Sequence, residues 1–191
     1  MKTTFLVLVF TLTTALTFAQ TAEHLSFKGV PIDGTLNEYV KQMKQSGFTL
    51  LGTENGVAIL KGDFASYKDC TVGVATSKGK DLVSTITVIF PEQKSWSLLS
   101  SNYFNLKELL TEKYGQPSES VENFSSYEPA DDGSKMTQVY LDACKYVTTY
   151  ETDKGTIQLS IKGDISNAFV KLAYLDKING NIIREKAKDD L

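Results

Sequence analysis

Leu36, Tyr39, Val40 and Met43 recur at the i, i+3, i+4, i+7 spacing of one helical face, behind a Thr35–Glu38 capping-box spacing and ahead of Gly47. The pattern predicts a helix over 36–46. Trp96, Leu99, Tyr103, Leu106 and Leu110 make a longer apolar face, which Ser95 can cap and Gly115 and Pro117 stop. A third face follows Ser134 at the cap position, where Met136, Val139, Tyr140 and Ala143 predict a short helix over 135–143. Elsewhere the chain alternates with period two. Strands are expected at 48–53, 57–63, 69–77 and 82–90, and again at 121–126, 145–152, 156–163 and 168–175. Turns fall at Asn55-Gly56, Lys78-Gly79 and Lys154-Gly155, where glycine permits positive φ. The tail 181–191, with Ile182 and Ile183 ahead of mixed charges, reads as a fraying helix.

The alternation assigns faces. Val72, Val74, Ile86, Val88, Phe90, Ile157, Leu159 and Ile161 point to one side and should meet the helices. Thr71, Gly73, Thr85, Thr87, Gln158, Ser160 and Lys162 point to the other. Such clean alternation belongs to antiparallel strands with one face covered and one open to water or a partner. The elements also repeat. Asp33-Gly34-Thr35, Val40, Thr49 and Thr53-Glu54-Asn55-Gly56 recur in one register as Asp132-Gly133-Ser134, Val139, Thr148 and Thr152-Asp153-Lys154-Gly155. Lys61-Gly62-Asp63-Phe64 recurs as Lys162-Gly163-Asp164-Ile165 after a short insertion. The expected architecture is α+β, a curved antiparallel sheet with helices on one face, built by tandem duplication of a helix-plus-sheet unit. The first unit, with its connecting helix, spans 20–117 and the second 118–191, forming one compact domain.

The first 19 residues read as a signal peptide: Lys2 is the positive end, Phe5 to Phe18 is apolar apart from threonines, and Thr17-Phe18-Ala19 is the cleavage site. This run is too short to span a bilayer, no second one follows, and no cysteine near the cut offers a lipid anchor. The expected product is a soluble protein of the periplasm or the exterior. Export makes a disulfide between Cys70 and Cys144 the favoured pairing, with two buried thiols as the alternative. A content of 41% hydrophobic residues with only 4 Pro excludes a disordered chain. The balance of 20 basic against 23 acidic residues leaves no excess positive charge to bind nucleic acid.

A resemblance adds to this picture. Phe27 to Gly34 leading into a helix that ends Gly47-Phe48, then Lys113-Tyr114-Gly115-Gln116-Pro117 and the closing Tyr174-Leu175-Asp176-Lys177-Ile178-Asn179, resemble a group of exported proteins of Gram-negative gut bacteria that share a domain of unknown function. The tandem layout is similar to the beta-lactamase inhibitor protein fold. That likeness is one of architecture and carries over no residues.

Catalytic motifs are missing: there is no G-x-S-x-G elbow, Walker loop, H-E-x-x-H or C-x-x-C pair, and His24 is the single histidine. No catalytic residue, cofactor or metal is expected. Asp131 or Asp132 is more simply a helix cap than a cation ligand, and the stretch Asp176 to Asn181 a strand-end turn than a calcium loop. What remains is surface. Thr85, Thr87, Gln158 and Ser160 lie on the expected open face, and Tyr146 and Tyr150, flanking Thr148 on one strand, are candidates to join them if their rings do not enter the core. The expectation is a non-catalytic, monomeric binding module whose ligand is another exported or envelope protein or an envelope polymer. The alternatives are a small-molecule or lipid carrier with a cavity between sheet and helices, or a carboxylate-based glycan hydrolase.

Overall fold

Thr35 starts the first helix as its spacing with Glu38 implies: its hydroxyl accepts from the Glu38 amide, and the Glu38 carboxylate accepts from the Thr35 amide at 3.1 Å. The computed structural model describes residues 23–77, 80–125 and 127–189. The expected leader and its cut, and the Lys78-Gly79 turn, lie outside the described residues.

A small hairpin, β1 (Ser26–Phe27) and β2 (Val30–Pro31), precedes α1 (Leu36–Gln45). Four strands follow, β3 (Thr49–Glu54), β4 (Val57–Phe64), β5 (Tyr67–Thr76) and β6 (Val83–Ile89). After α2 (Trp96–Tyr114) come β7 (Glu119–Phe124), α3 (Asp132–Tyr140), β8 (Cys144–Thr152), β9 (Gly155–Gly163), β10 (Ala168–Asp176) and α4 (Lys177–Asp189). The chain is α+β. Strands β3 to β10 form one antiparallel sheet in the order β3-β4-β5-β6-β10-β9-β8-β7, with β1 and β2 paired separately. Thus β3-β4-β5 and β8-β9-β10 enter from opposite sides, each behind a helix, and β6 meets β10 at the centre.

Two helices start earlier than their spacing suggests, both because an aspartate takes the cap. α3 begins at Asp132 rather than at 135, since Asp131 accepts from the Ser134 amide at 2.8 Å and so displaces Ser134 from the cap position. Asp132 itself accepts from the Trp96 and Ser97 amides at 2.9 and 2.8 Å, capping α2 from another part of the chain. The hydrogen bond from Ser97 and those amides hold its carboxyl below the usual range. α4 begins at Lys177 rather than in the tail, because Asp176 accepts from the Asn179 amide and turns the expected strand-end turn into a helix start.

Asp176 also ties down the N-terminal segment. Its side chain is fully buried and accepts from the Leu25 amide at 2.8 Å, while the His24 Nδ1 lies 3.1 Å away. Asn179 completes the knot, its amide nitrogen donating to the carbonyls of Ile32 and Val83 and to the Asp33 carboxylate.

The expected disulfide is corrected here. Cys70 is on β5 and Cys144 on β8, with β6, β10 and β9 between them. Four strand spacings amount to about 19 Å, far beyond the reach of a disulfide. Both thiols are free and buried, and burial pushes Cys70 up to about 11 and Cys144 up to about 12. The native protein should therefore leave Ellman's reagent uncoloured at mildly alkaline pH until denaturant is added, when both thiols react. Unchanged melting with and without reductant would agree; a drop on reduction would reinstate the bridge.

Candidate binding face

Strand register sorts the side chains of the sheet onto two faces. Leu60, Val72, Ile86 and Val88 and, across the centre, Leu172, Leu159 and Thr148 point toward α1, α2 and α3 and are all buried. Tyr39 and Met43 from α1, Tyr103 and Leu106 from α2, and Met136 and Val139 from α3 fill the layer above them.

Tyr146 and Tyr150 belong to this covered face, with Thr148 between them, and are not part of an open surface. They are only 8% and 1% exposed. The Tyr146 ring packs edge-on against Trp96 and Tyr103, and the Tyr150 hydroxyl donates to the Lys107 carbonyl of α2 at 3.0 Å. Thr148 is fully buried and shares hydrogen bonds with the Tyr103 hydroxyl at 2.6 Å and the Ser120 hydroxyl at 3.0 Å. Lys107 reaches both Ser120, at 3.0 Å, and the carboxylate of Glu122. Burial alone would raise the Glu122 carboxyl, but the bond from Lys107 and its charge outweigh it and hold the group below the usual range. This cluster docks β7 onto α2. Because Lys107 donates to Glu122 as well as to Ser120, the serine meets an ion-paired ammonium rather than a base.

The opposite face carries Thr85, Thr87, Gln158 and Ser160 together, as the alternation implies. Ile59, Gly73, Thr87, Ala173, Gln158 and Thr149 stand in register from β4 to β8. The next row reads Lys61, Thr71, Ile89, Lys171, Ser160 and Val147, and the row on the other side Val57, Ala75, Thr85, Leu175, Thr156 and Glu151. Shallow recesses border this open face among the described residues: one, about 670 Å³, lies beside Leu51, Val57 and Ile59, another, about 370 Å³, beside Val121, Val147 and Gln158, and a third, about 250 Å³, where Glu151, Thr156 and Leu175 meet Gly180 and Asn181 of α4. No family model, curated protein or solved structure matches the chain.

Several residues of the open face had no clear signal in the sequence. Strand β10 is apolar in both registers, so Phe169, Ala173 and Leu175 could have been core; pairing with β6 and β9 turns them, and Lys171, outward. Ile59 and Leu175 keep 37% and 43% of their surface exposed, against near-complete burial of their strand neighbours. Several lysines gather toward one end of the strands. Glu54 and Glu151 stand at the end where β10 finishes, and Lys61, Lys171, Lys162 and Lys145 toward its start. Lys61 pairs with Asp69 at 3.0 Å and Lys162 with Asp142 at 3.9 Å.

Elsewhere, no group of three or more His, Cys, Asp or Glu side chains converges as a metal site would require among the described residues. Nor, among them, is any helix long and apolar enough to cross a membrane.

Proposed function

We propose that this chain is an exported, non-catalytic binding module that grips a protein partner on the open face of its sheet, residues 1–19 being the leader removed on export. One observation carries the reading: across the sheet, that face leaves Ile59 and Leu175 exposed among small and hydroxylated side chains, while α1, α2 and α3 lie on the other. Its size fits a protein. Eight strands about 4.8 Å apart and some six residues tall make roughly 700 Å² of surface, close to the roughly 800 Å² each partner contributes to a standard interface. A lipid or small-molecule carrier would need a cavity between sheet and helices, and the side chains of Tyr39, Tyr103, Leu106 and Tyr150 occupy that layer. The repeated motifs and the paired helix-then-three-strand order support descent of the two halves from a single duplicated unit. Gly62 and Gly163, equivalent in that alignment, each sit where a core side chain presses onto bare backbone, Phe48 on one and Val139 on the other.

Thr87 is the position at which to test the face. It stands between Gly73 and Ala173, so an arginine there projects over the centre of the face without displacing a packed side chain. Ser160, on the same face, is a poorer choice because it is only 3% exposed. Thr87→Arg is expected to change stability by less than about 0.5 kcal/mol. In crosslinked affinity capture from the native cell envelope it should lose the protein that the wild-type chain retains. Equal recovery by both would remove the open face from consideration.

A further inference from the structure

β3 ends the sheet with a row of backbone N–H and C=O groups that no described strand pairs. In the other half β8, which like β3 opens a set of three strands behind a helix, has its outer edge taken by β7 running antiparallel. β3 is also unguarded. It carries one charge, Glu54 at its last residue, and neither Lys nor Pro, whereas the opposite edge, β7, carries Glu119 and Glu122. All six residues of β3 are exposed, Leu51 by 60%. A bulge lies at its middle: Leu50 opposes Leu60 and Gly52 opposes Ile59, so Leu51 is the extra residue. Leu51 and Gly52 thus stand together on the open-face side, beside Val57 and Ile59 in the recess of about 670 Å³. Above Gly52 there is room, with nothing within 4 Å of where a Cβ would sit.

We propose that β3 pairs antiparallel with β3 of a second copy, about a two-fold axis perpendicular to the sheet, making a dimer in place of the expected monomer and joining the two open faces. The strand is its own complement. Opposed side chains of antiparallel strands share a face, and with the bulge present in both copies one register satisfies this throughout. It sets Leu51 opposite Gly52 of the second copy, Leu50 opposite Thr53, and Thr49 opposite Glu54. Each Leu51 then covers the bare Gly52 backbone of the other copy beside Ile59. Charge agrees: Glu54 meets no cation in its own copy among the described residues, and this register sets it in the row of Thr49 and Lys61 of the second copy, on the same face. A strand fitting this edge therefore needs an apolar side chain over Gly52 and, three residues on, an acid facing Lys61. In a regular strand residues three apart point to opposite faces, so the fitting strand must carry a bulge between them, as β3 does between Leu51 and Glu54.

The seam buries less than the roughly 1,600 Å² of a standard interface, so sedimentation velocity of the exported protein should show monomer giving way to dimer near about 10–100 µM. Leu51→Lys, at an exposed position, and Gly52→Leu, which fills the hollow, should each weaken the dimer at least about tenfold while unfolding close to the wild-type midpoint. Glu54→Lys and Lys61→Glu should each weaken self-association, and a mixture of the two should associate more tightly than either alone, because opposite charges then meet at both ends of the seam. A monomer at every concentration, or a dimer that Leu51→Lys and Gly52→Leu leave unchanged, would overturn the proposal. Growth beyond the dimer would do so too, since a two-fold contact closes on itself. Thr87→Arg, three strands from the seam, should dimerise as the wild type does, so these results are separate from what the open face binds.

Discussion

Adding a single methyl group at Gly155 should disable the fold. Gly155 opens β9 at φ +153°, and a Cβ built there would lie 2.1 Å from the carbonyl oxygen of Leu175 on β10. Nothing flexible can yield, because the obstacle is backbone in the centre of the sheet, where Gly155 pairs with both Thr152 and Asp176. Relief requires prising β9 from β10 at that end. Gly155→Ala is therefore expected to cost at least about 3 kcal/mol, by overpacking and backbone strain together. Gly29, at φ +79° with nothing within 4 Å, supplies the contrast, since Gly29→Ala meets only the left-handed penalty of about 1 kcal/mol. Urea unfolding of the two variants measures the difference. A Gly155→Ala midpoint close to that of Gly29→Ala would mean that the two strands do not approach as described.

Asp176→Ala should have a comparable effect for an unrelated reason. The carboxylate takes hydrogen bonds from the buried amides of Leu25 and Asn179, and removing it leaves both donors unpaired. Each buried unsatisfied group costs about 1–3 kcal/mol, so a loss of about 3–5 kcal/mol is expected once the lost cap on α4 is included. Asp176→Asn retains one acceptor oxygen and should fall about midway. Hydrogen exchange would locate the damage: in Asp176→Ala the amides of the N-terminal segment and the first turn of α4 should lose protection before those of β4 and β5. Uniform loss along the chain would contradict a local role for this carboxylate.

The sequence was most legible where one parity of a strand is apolar and the other is not. Strands β5, β6 and β9 are of that kind, and the sides assigned to Val72, Ile86, Leu159, Thr87 and Gln158 all hold. Strand β8 is different. Its run Lys145-Tyr146-Val147-Thr148-Thr149-Tyr150 sets two tyrosines and a threonine against a lysine, a valine and a threonine, and period alone does not say which set is covered. Register decides, because Thr148 opposes Leu159 and Tyr150 opposes Ile157 from the neighbouring strand. The cost of burying Thr148 is offset by the hydroxyls of Tyr103 on α2 and Ser120 on β7, both more than 25 residues earlier in the sequence. The cysteines follow the same logic. Their burial is local, but their separation depends on β10 entering the sheet beside β6, and no short stretch of sequence encodes that. Lys171 and Leu175 were hidden for want of contrast, since β10 is apolar at nearly every position.

The position of β10 also bears on how the chain comes into being. Of the strands in this sheet, the last to be synthesised lies in its middle, between β6 and β9. Until residues 168–176 emerge, β6 presents a bare edge and the two halves have no shared hydrogen bonds across the sheet. A nascent chain or one truncated before Ala168 is thus two separate strand groups with open edges, the form most prone to pair with the wrong neighbour. Closure is a single late event joining distant parts of the chain, which makes folding slow and keeps the growing polypeptide from locking prematurely.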